Sequence, residues 1–153
     1  MYSATVGLVK ATWHAEAVDA FAISCSSELK SKDKQIQVNT YSVPGVVEIP
    51  LFTQKLIQSQ TVDIVVVVGL IADHGVYRHD FVASTVMDAT MKVQMETGVP
   101  IIYGILTPQE FMSEGREEFF KEHFIKKGLE AATSVLATLE NERLLAGLIE
   151  KPG

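Results

Sequence analysis

The chain has 153 residues, which suits one domain with a single core, and 47% of them are hydrophobic, which excludes a disordered chain. Its formal net charge of −6 argues against nucleic acid as the main partner, but leaves an anionic small substrate open because local fields decide that. A single cysteine, Cys25, excludes an intrachain disulfide and fits a reducing compartment.

The N-terminal residues 1–5 lack the basic and apolar regions of a signal peptide, so a cytoplasmic chain is expected. The first strand is predicted at Thr5-Val6-Gly7-Leu8-Val9. Residues 15–31 follow as a helix with Val18, Phe21, Ala22 and Cys25 on one face. After the solvated turn Ser31-Lys32-Asp33-Lys34, Ile36 to Tyr41 forms the second strand. Val43-Pro44-Gly45 breaks it, since a residue before proline is pushed out of the α region. A second helix is expected over 47–59. Val62 to Gly69 is the third strand. Its run Ile64-Val65-Val66-Val67-Val68, interrupted by Gly69 before Leu70, predicts burial on both faces and is far too short to cross a bilayer.

The third helix is expected from Asp80, as its cap, to Thr97, with Gly98 as the residue that ends it. Val99 to Leu106 is the fourth strand. Thr107-Pro108-Gln109-Glu110 has the residue types of a helix start, and a terminal helix is expected over 117–146 with a break near Lys127-Gly128. Met87, Met91 and Met95 recur every four residues, a packing stripe for the core or another subunit. Phe119, Phe120 and Phe124 exceed what one helix face can bury, so a neighbouring subunit is expected against some of them. This alternation of strands and helices implies a doubly wound α/β domain. Its ligands belong beyond the carboxyl ends of the strands, at loops 12–14, 43–48, 70–79 and 107 onward.

The unusual residues collect in those loops. Trp13, the sole tryptophan, follows the first strand with His14 beside it; it can stack a flat heterocycle or pack in a core or interface. Glu48 can serve a helix dipole or hold sugar hydroxyls. The stretch from Asp73 to Asp80 is richest, with His74, Gly75, Arg78 and His79 before a helix N-terminus. Such an end binds phosphate, glycine lets backbone approach, arginine grips anions, and neutral histidine moves protons near pH 7. His74 and His79 have no recognised ligand spacing, so no metal site is expected. GxGxxG, Walker, GxSxG and CxxC motifs are missing, which removes the usual support for dinucleotide, nucleotide-hydrolase and serine-hydrolase readings.

Val43-Pro44-Gly45 with Glu48-Ile49-Pro50 resembles the VPGxxEIP segment of lumazine synthases. Pro100 to Thr107 resembles that family's fourth strand, Lys127-Gly128-Leu129-Glu130-Ala131-Ala132 its KGxEAA segment, and Trp13 its aromatic position. Trp13-His14 and Tyr77 to Ala83 are most similar to the second, decameric bacterial type. The resemblance covers nearly the whole chain. It implies a flavodoxin-like αβα sandwich with a four-stranded parallel sheet, and an enzyme of riboflavin biosynthesis. That enzyme condenses 5-amino-6-(D-ribitylamino)uracil with 3,4-dihydroxy-2-butanone 4-phosphate to 6,7-dimethyl-8-ribityllumazine, without metal or organic cofactor.

By the same resemblance Trp13 stacks on the pyrimidine, and His14 and Glu48 contact the ribityl chain. Backbone of Val46, Val47, Ile71 and Ala72 lines ring and sugar, and His74 and Gly75 lie near phosphate. Tyr103, Lys127 and Glu130 complete a neighbouring subunit's site, and pentamers pair into a homodecamer. No nucleic acid or membrane partner is implied. The chain departs from the family pattern in two places. Arg78 falls on the catalytic histidine position and His79 is shifted by one, so either can hold the role beside Glu130. The family's phosphate-gripping arginine has no clear match, leaving Arg116 and His123 as candidates. A lumazine- or flavin-binding oligomer with little catalysis and an archaeal-type riboflavin synthase are the alternatives.

Overall fold

Four strands form one parallel sheet in the order β2-β1-β3-β4: β1 is Ala4–Ala11, β2 Ile36–Val43, β3 Ile64–Leu70 and β4 Ile101–Leu106. The computed structural model describes residues 3–72, 78–108 and 115–150. Val6 of β1 is in register with Val38 on one side and Ile64 on the other, and Val67 of β3 pairs Tyr103 of β4. The helices are α1 (Ala15–Lys32), α2 (Ile49–Gln58), α3 (His79–Thr97) and α4 (Arg116–Glu150), with a short 3-10 turn at Val46–Glu48.

Alternation along each strand sorts the side chains into two cores. Val6, Leu8, Ile64, Val66 and Val68 meet α1 and α4 through Val18, Phe21, Cys25, Phe124 and Ala132. Val9, Val65 and Val67 meet α2 and α3 through Ile49, Leu56, Val86 and Val93. Every residue of β3 is buried, which accounts for its continuous apolar run: a central parallel strand has no wet face. Helices cover both faces, giving the three-layer flavodoxin-like arrangement.

The element boundaries move in instructive ways. The second helix does not begin at 47. Residues 46–48 wind as a 3-10 turn and the α-helix starts at Ile49, with Pro50 in its first turn where a missing N–H costs nothing. The third helix starts at His79, so its N-cap is Arg78; Asp80 lies inside the first turn. Gly98 ends that helix in the left-handed region (φ 73°), with its N–H bonded to Gln94 O. Thr107 and Pro108 follow β4 without belonging to a described helix, and Gln109 and Glu110, the rest of the expected helix start, lie outside the described residues. The expected break at Lys127-Gly128 is missing, and α4 runs unbroken to Glu150. Glycine is there for space: a methyl on Gly128 would come within 2.4 Å of Phe21 O and 1.9 Å of Ser24 Oγ, so α1 and α4 cross in contact. Ser24 Oγ donates to Ile125 O at 2.9 Å across that crossing.

Phe124 and Phe120 are buried while Phe119 is exposed, and Met87 and Met95 face outward, so those methionines do not pack in this chain's core. Cys25 is fully buried, and burial pushes its thiol up to about 12, so it stays protonated and unreactive. Among the described residues, no helix is long and apolar enough to cross a membrane.

Candidate functional site

Three of the four loops named from the sequence converge on one cavity of about 280 Å³. Trp13 and His14 enter it from the end of β1, residues 44–48 from the end of β2, and Leu70, Ile71 and Ala72 from the end of β3. His79 and Val82 close it from the start of α3. Among the described residues, none from 107 onward lines it.

Backbone bonds set the first two loops. Thr12 N–H donates to Val43 O at 3.0 Å and its hydroxyl to Pro44 O at 2.9 Å, prolonging the β1–β2 pairing past the sheet. The chain then reverses at His14, which caps α1 in the left-handed region (φ 58°, ψ 48°). For a residue with a side chain that conformation costs about 1–2 kcal/mol, and such strain gathers where geometry serves a ligand. Trp13, held just before the reversal, is 70% exposed. The core reading of this tryptophan therefore fails, and a stacking face or an interface residue remains.

In the second loop, Glu48 Oε2 accepts the Gly45 N–H at 3.0 Å, while Glu48 N–H donates to Gly45 O at 3.2 Å. The carboxylate thus closes its own turn, and it lies at the cavity edge where a hydroxylated chain can also reach it. A methyl on Gly45 would stand 3.2 Å from Glu48 Oε2 and 4.0 Å from the Trp13 ring, so turn and tryptophan pack through a glycine.

Two neighbours at the start of α3 diverge. His79 lines the cavity and is half-buried. Arg78 turns away: its guanidinium lies 4.0 Å from the Phe81 ring centroid and 3.9 Å from the Asp80 carboxylate, and it is 71% exposed. His74 and Gly75 lie outside the described residues.

Tyr103, Lys127 and Glu130 do not line this cavity. Tyr103 is half-buried on β4 beside the α2/α3 core, and burial raises its phenol, which stays a donor at neutral pH. Lys127 and Glu130 pair at 3.1 Å on the outer side of α4. The hydrogen bond from Lys127 holds the Glu130 carboxyl below its usual range, aided by the charges of Lys127, Lys126 and His123. At the start of α4, Arg116 lies over the rings of Phe119 and Phe120 at 5.2 and 4.8 Å, and His123 stacks on Phe119. Among the described residues no group of three or more His, Cys, Asp or Glu could hold a metal.

Four lining or bracing residues were not named as site residues from the sequence. Val82 sits one turn after His79, and its signal is that spacing. Leu70 ends the apolar run. Pro44 and Thr12 act through backbone and hydroxyl bonds that composition does not announce.

An α/β domain with a largely apolar, heterocycle-sized cavity, an exposed tryptophan and a histidine at a helix start defines a small-molecule site beyond the strand ends. The family model for 6,7-dimethyl-8-ribityllumazine synthase matches residues 3–143. A relative named 6,7-dimethyl-8-ribityllumazine synthase 2, from Bradyrhizobium diazoefficiens, is 39% identical over 94% of this chain and 87% of its own length. A 6,7-dimethyl-8-ribityllumazine synthase of Rhodococcus erythropolis is 37% identical over 92% of each chain. Another synthase 2, from Pseudomonas syringae pv. tomato, is 37% identical over 94% of this chain and 85% of its own. The chain belongs to the 6,7-dimethyl-8-ribityllumazine synthase family.

Proposed function

We propose that the chain condenses 5-amino-6-(D-ribitylamino)uracil with 3,4-dihydroxy-2-butanone 4-phosphate to 6,7-dimethyl-8-ribityllumazine. The observation that carries the reading is the convergence of Trp13, the 44–48 turn and His79 on one cavity in a chain of this family. Trp13 stacks on the pyrimidine. His14 and Glu48 take the ribityl hydroxyls, and backbone groups of Val46, Val47, Ile71 and Ala72 border ring and sugar. The phosphate is assigned to His74 and Gly75 by the family resemblance alone.

The pyrimidine amine attacks the ketone and water leaves to form an imine, phosphate is eliminated, and the ribityl-bearing nitrogen closes the ring on the carbonyl so formed with loss of a second water. Two tasks fall to the protein. Orienting the reactants removes the entropy of their encounter, an effect that reaches effective molarities of about 10⁵–10⁸ M in well-aligned cases. Moving protons at the attacked carbonyl contributes about 10²–10⁴-fold. His79, which lines the cavity, takes that second role. Arg78 keeps the start of α3 in place through Phe81 and Asp80.

Tyr103, Lys127 and Glu130 act in the site of an adjacent subunit, Glu130 beside that subunit's proton carrier. The large exposed side chains Val47, Leu51, Phe81 and Val82 border a second apolar hollow of about 400 Å³ that shares Val47 and Val82 with the site. Covering it with another copy of the chain removes that surface from water. A ring of five subunits, paired as a decamer in the cytoplasm, is the assembly this reading includes.

The test is to incubate the purified protein with both substrates and follow lumazine formation, with Arg78→Ala and His79→Ala alongside. Acceleration over the spontaneous reaction, lost mainly in His79→Ala, is expected. Tight lumazine or riboflavin binding without acceleration overturns the catalytic reading and leaves a binding protein.

A further inference from the structure

The sixth residue of β3 is a glycine where five consecutive β-branched residues precede it. A glycine inside a central strand loses packing and marks a place where something else comes close. Here that visitor is Val46, from the turn at the cavity edge. A methyl built on Gly69 would stand 2.5 Å from Val46 Cγ1, while its next contacts, Ala11 Cβ at 3.6 Å and Ile105 Cγ1 at 3.7 Å, are ordinary. Gly69 lies in register with Ile105 of β4. The three residues make a shallow seat at the sheet end, and Val46 fills it.

We propose that Gly69 is a positioning residue that sets the height of the 46–48 turn, and so the gap in which the pyrimidine lies against Trp13. The inference rests on the proposed function, since it concerns the same site. The turn is otherwise well fixed. Its upstream residue Pro44 accepts two bonds from Thr12, Gly45 packs on Trp13, and the Glu48 carboxylate closes it. Its contact with the sheet passes through Val46, whose β-branched side chain has few rotamers to retreat into. A side chain at position 69 therefore raises the turn by roughly 1 Å, the difference between 2.5 Å and an ordinary carbon contact. Val46 and Val47 both line the cavity, so that rise is transmitted to the ligand's edge. His74 and Gly75, assigned to the phosphate, are not part of this turn, so the effect falls on the pyrimidine.

The test uses Trp13, the only tryptophan, as its probe. Quenching of its fluorescence by 5-amino-6-(D-ribitylamino)uracil alone is titrated in the unsubstituted protein, Gly69→Ala, Val46→Ala and Gly69→Ala/Val46→Ala. Steady-state KM for each substrate is measured in parallel. Gly69→Ala should weaken pyrimidine binding about tenfold and raise the pyrimidine KM, with the KM for the phosphorylated ketone unchanged. The double variant should bind as Val46→Ala does, because the added methyl then occupies space that Val46 has vacated. If Gly69→Ala does not fold, equality of the double variant with Val46→Ala carries the result. Unchanged binding in Gly69→Ala, or a double variant weaker than Val46→Ala, overturns the inference while the function stands. A lack of quenching in the unsubstituted protein overturns the site reading itself, and this inference with it.

Discussion

The residues singled out for chemistry fall into two regions that the fold treats differently. Trp13, His14, Glu48 and His79 meet around one cavity within the chain. Tyr103, Lys127 and Glu130 stand on β4 and α4, outside it. The KGxEAA segment repeats the contrast on a smaller scale. Gly128, Ala131 and Ala132 are buried, and Gly128 meets α1, while Lys127 and Glu130 pair in solvent. One half of a motif thus has a sufficient reason in helix packing. The other half has none among the described residues, and the proposed site on a neighbouring copy would supply one.

Substitutions can break or sharpen that division. The largest effect is expected at His79: His79→Ala should lower the rate of lumazine formation about 10²–10³-fold, and Arg78→Ala less than tenfold, with folding unaffected in both. Equal losses would return Arg78 to the catalytic role. Next comes Gly128→Ala, where the added methyl meets Phe21 O and Ser24. Overpacking against backbone should cost about 2–3 kcal/mol, a fall of roughly 5–10 °C in Tm by thermal unfolding. Lys127→Ala should leave Tm nearly unchanged while activity falls, which separates the two halves of the segment.

A smaller effect is expected at Thr53, buried on α2 with no hydrogen-bond partner for its hydroxyl among the described residues. Thr53→Val should raise stability by about 1 kcal/mol in denaturant unfolding, because an unsatisfied buried hydroxyl gives way to a methyl. Lower stability would mean that the hydroxyl is satisfied in solution. The smallest effect concerns Glu130. Its carboxyl is held low by Lys127, so the pair's contribution is present above the ordinary carboxylate range and fades as pH falls through the lowered value. Lys127→Ala should move the Glu130 titration, followed by NMR, back upward.

Much of the first region was legible in the sequence. Trp13 after a strand and the Val43-Pro44-Gly45 break each violate an ordinary pattern and border the cavity, and of the polar run before α3, Arg78 caps the helix and His79 lines the cavity. The central strand was plain from its continuous β-branched run. Less legible were features that depend on bonds between distant segments. Thr12 looked like any turn residue, yet it ties two loops together. Glu48 left two readings open because its bond to Gly45 depends on the local winding of a 3-10 turn. Which of Arg78 and His79 faces the cavity depends on where α3 begins, and sequence places helix starts only within a residue or two. The expected break at Gly128 went wrong because a glycine that serves close helix contact looks the same in sequence as one that ends a helix.

The central claim is that the two regions form one site across subunits. It is tested most directly by mixing two inactive variants, Trp13→Ala and Lys127→Ala, unfolding and refolding them together, and measuring lumazine formation per subunit in the mixed assemblies. Adjacent subunits that share a site should regain activity at about one quarter of the sites, those with both contributors intact. Mixed assemblies that form and stay inactive would contradict the shared site.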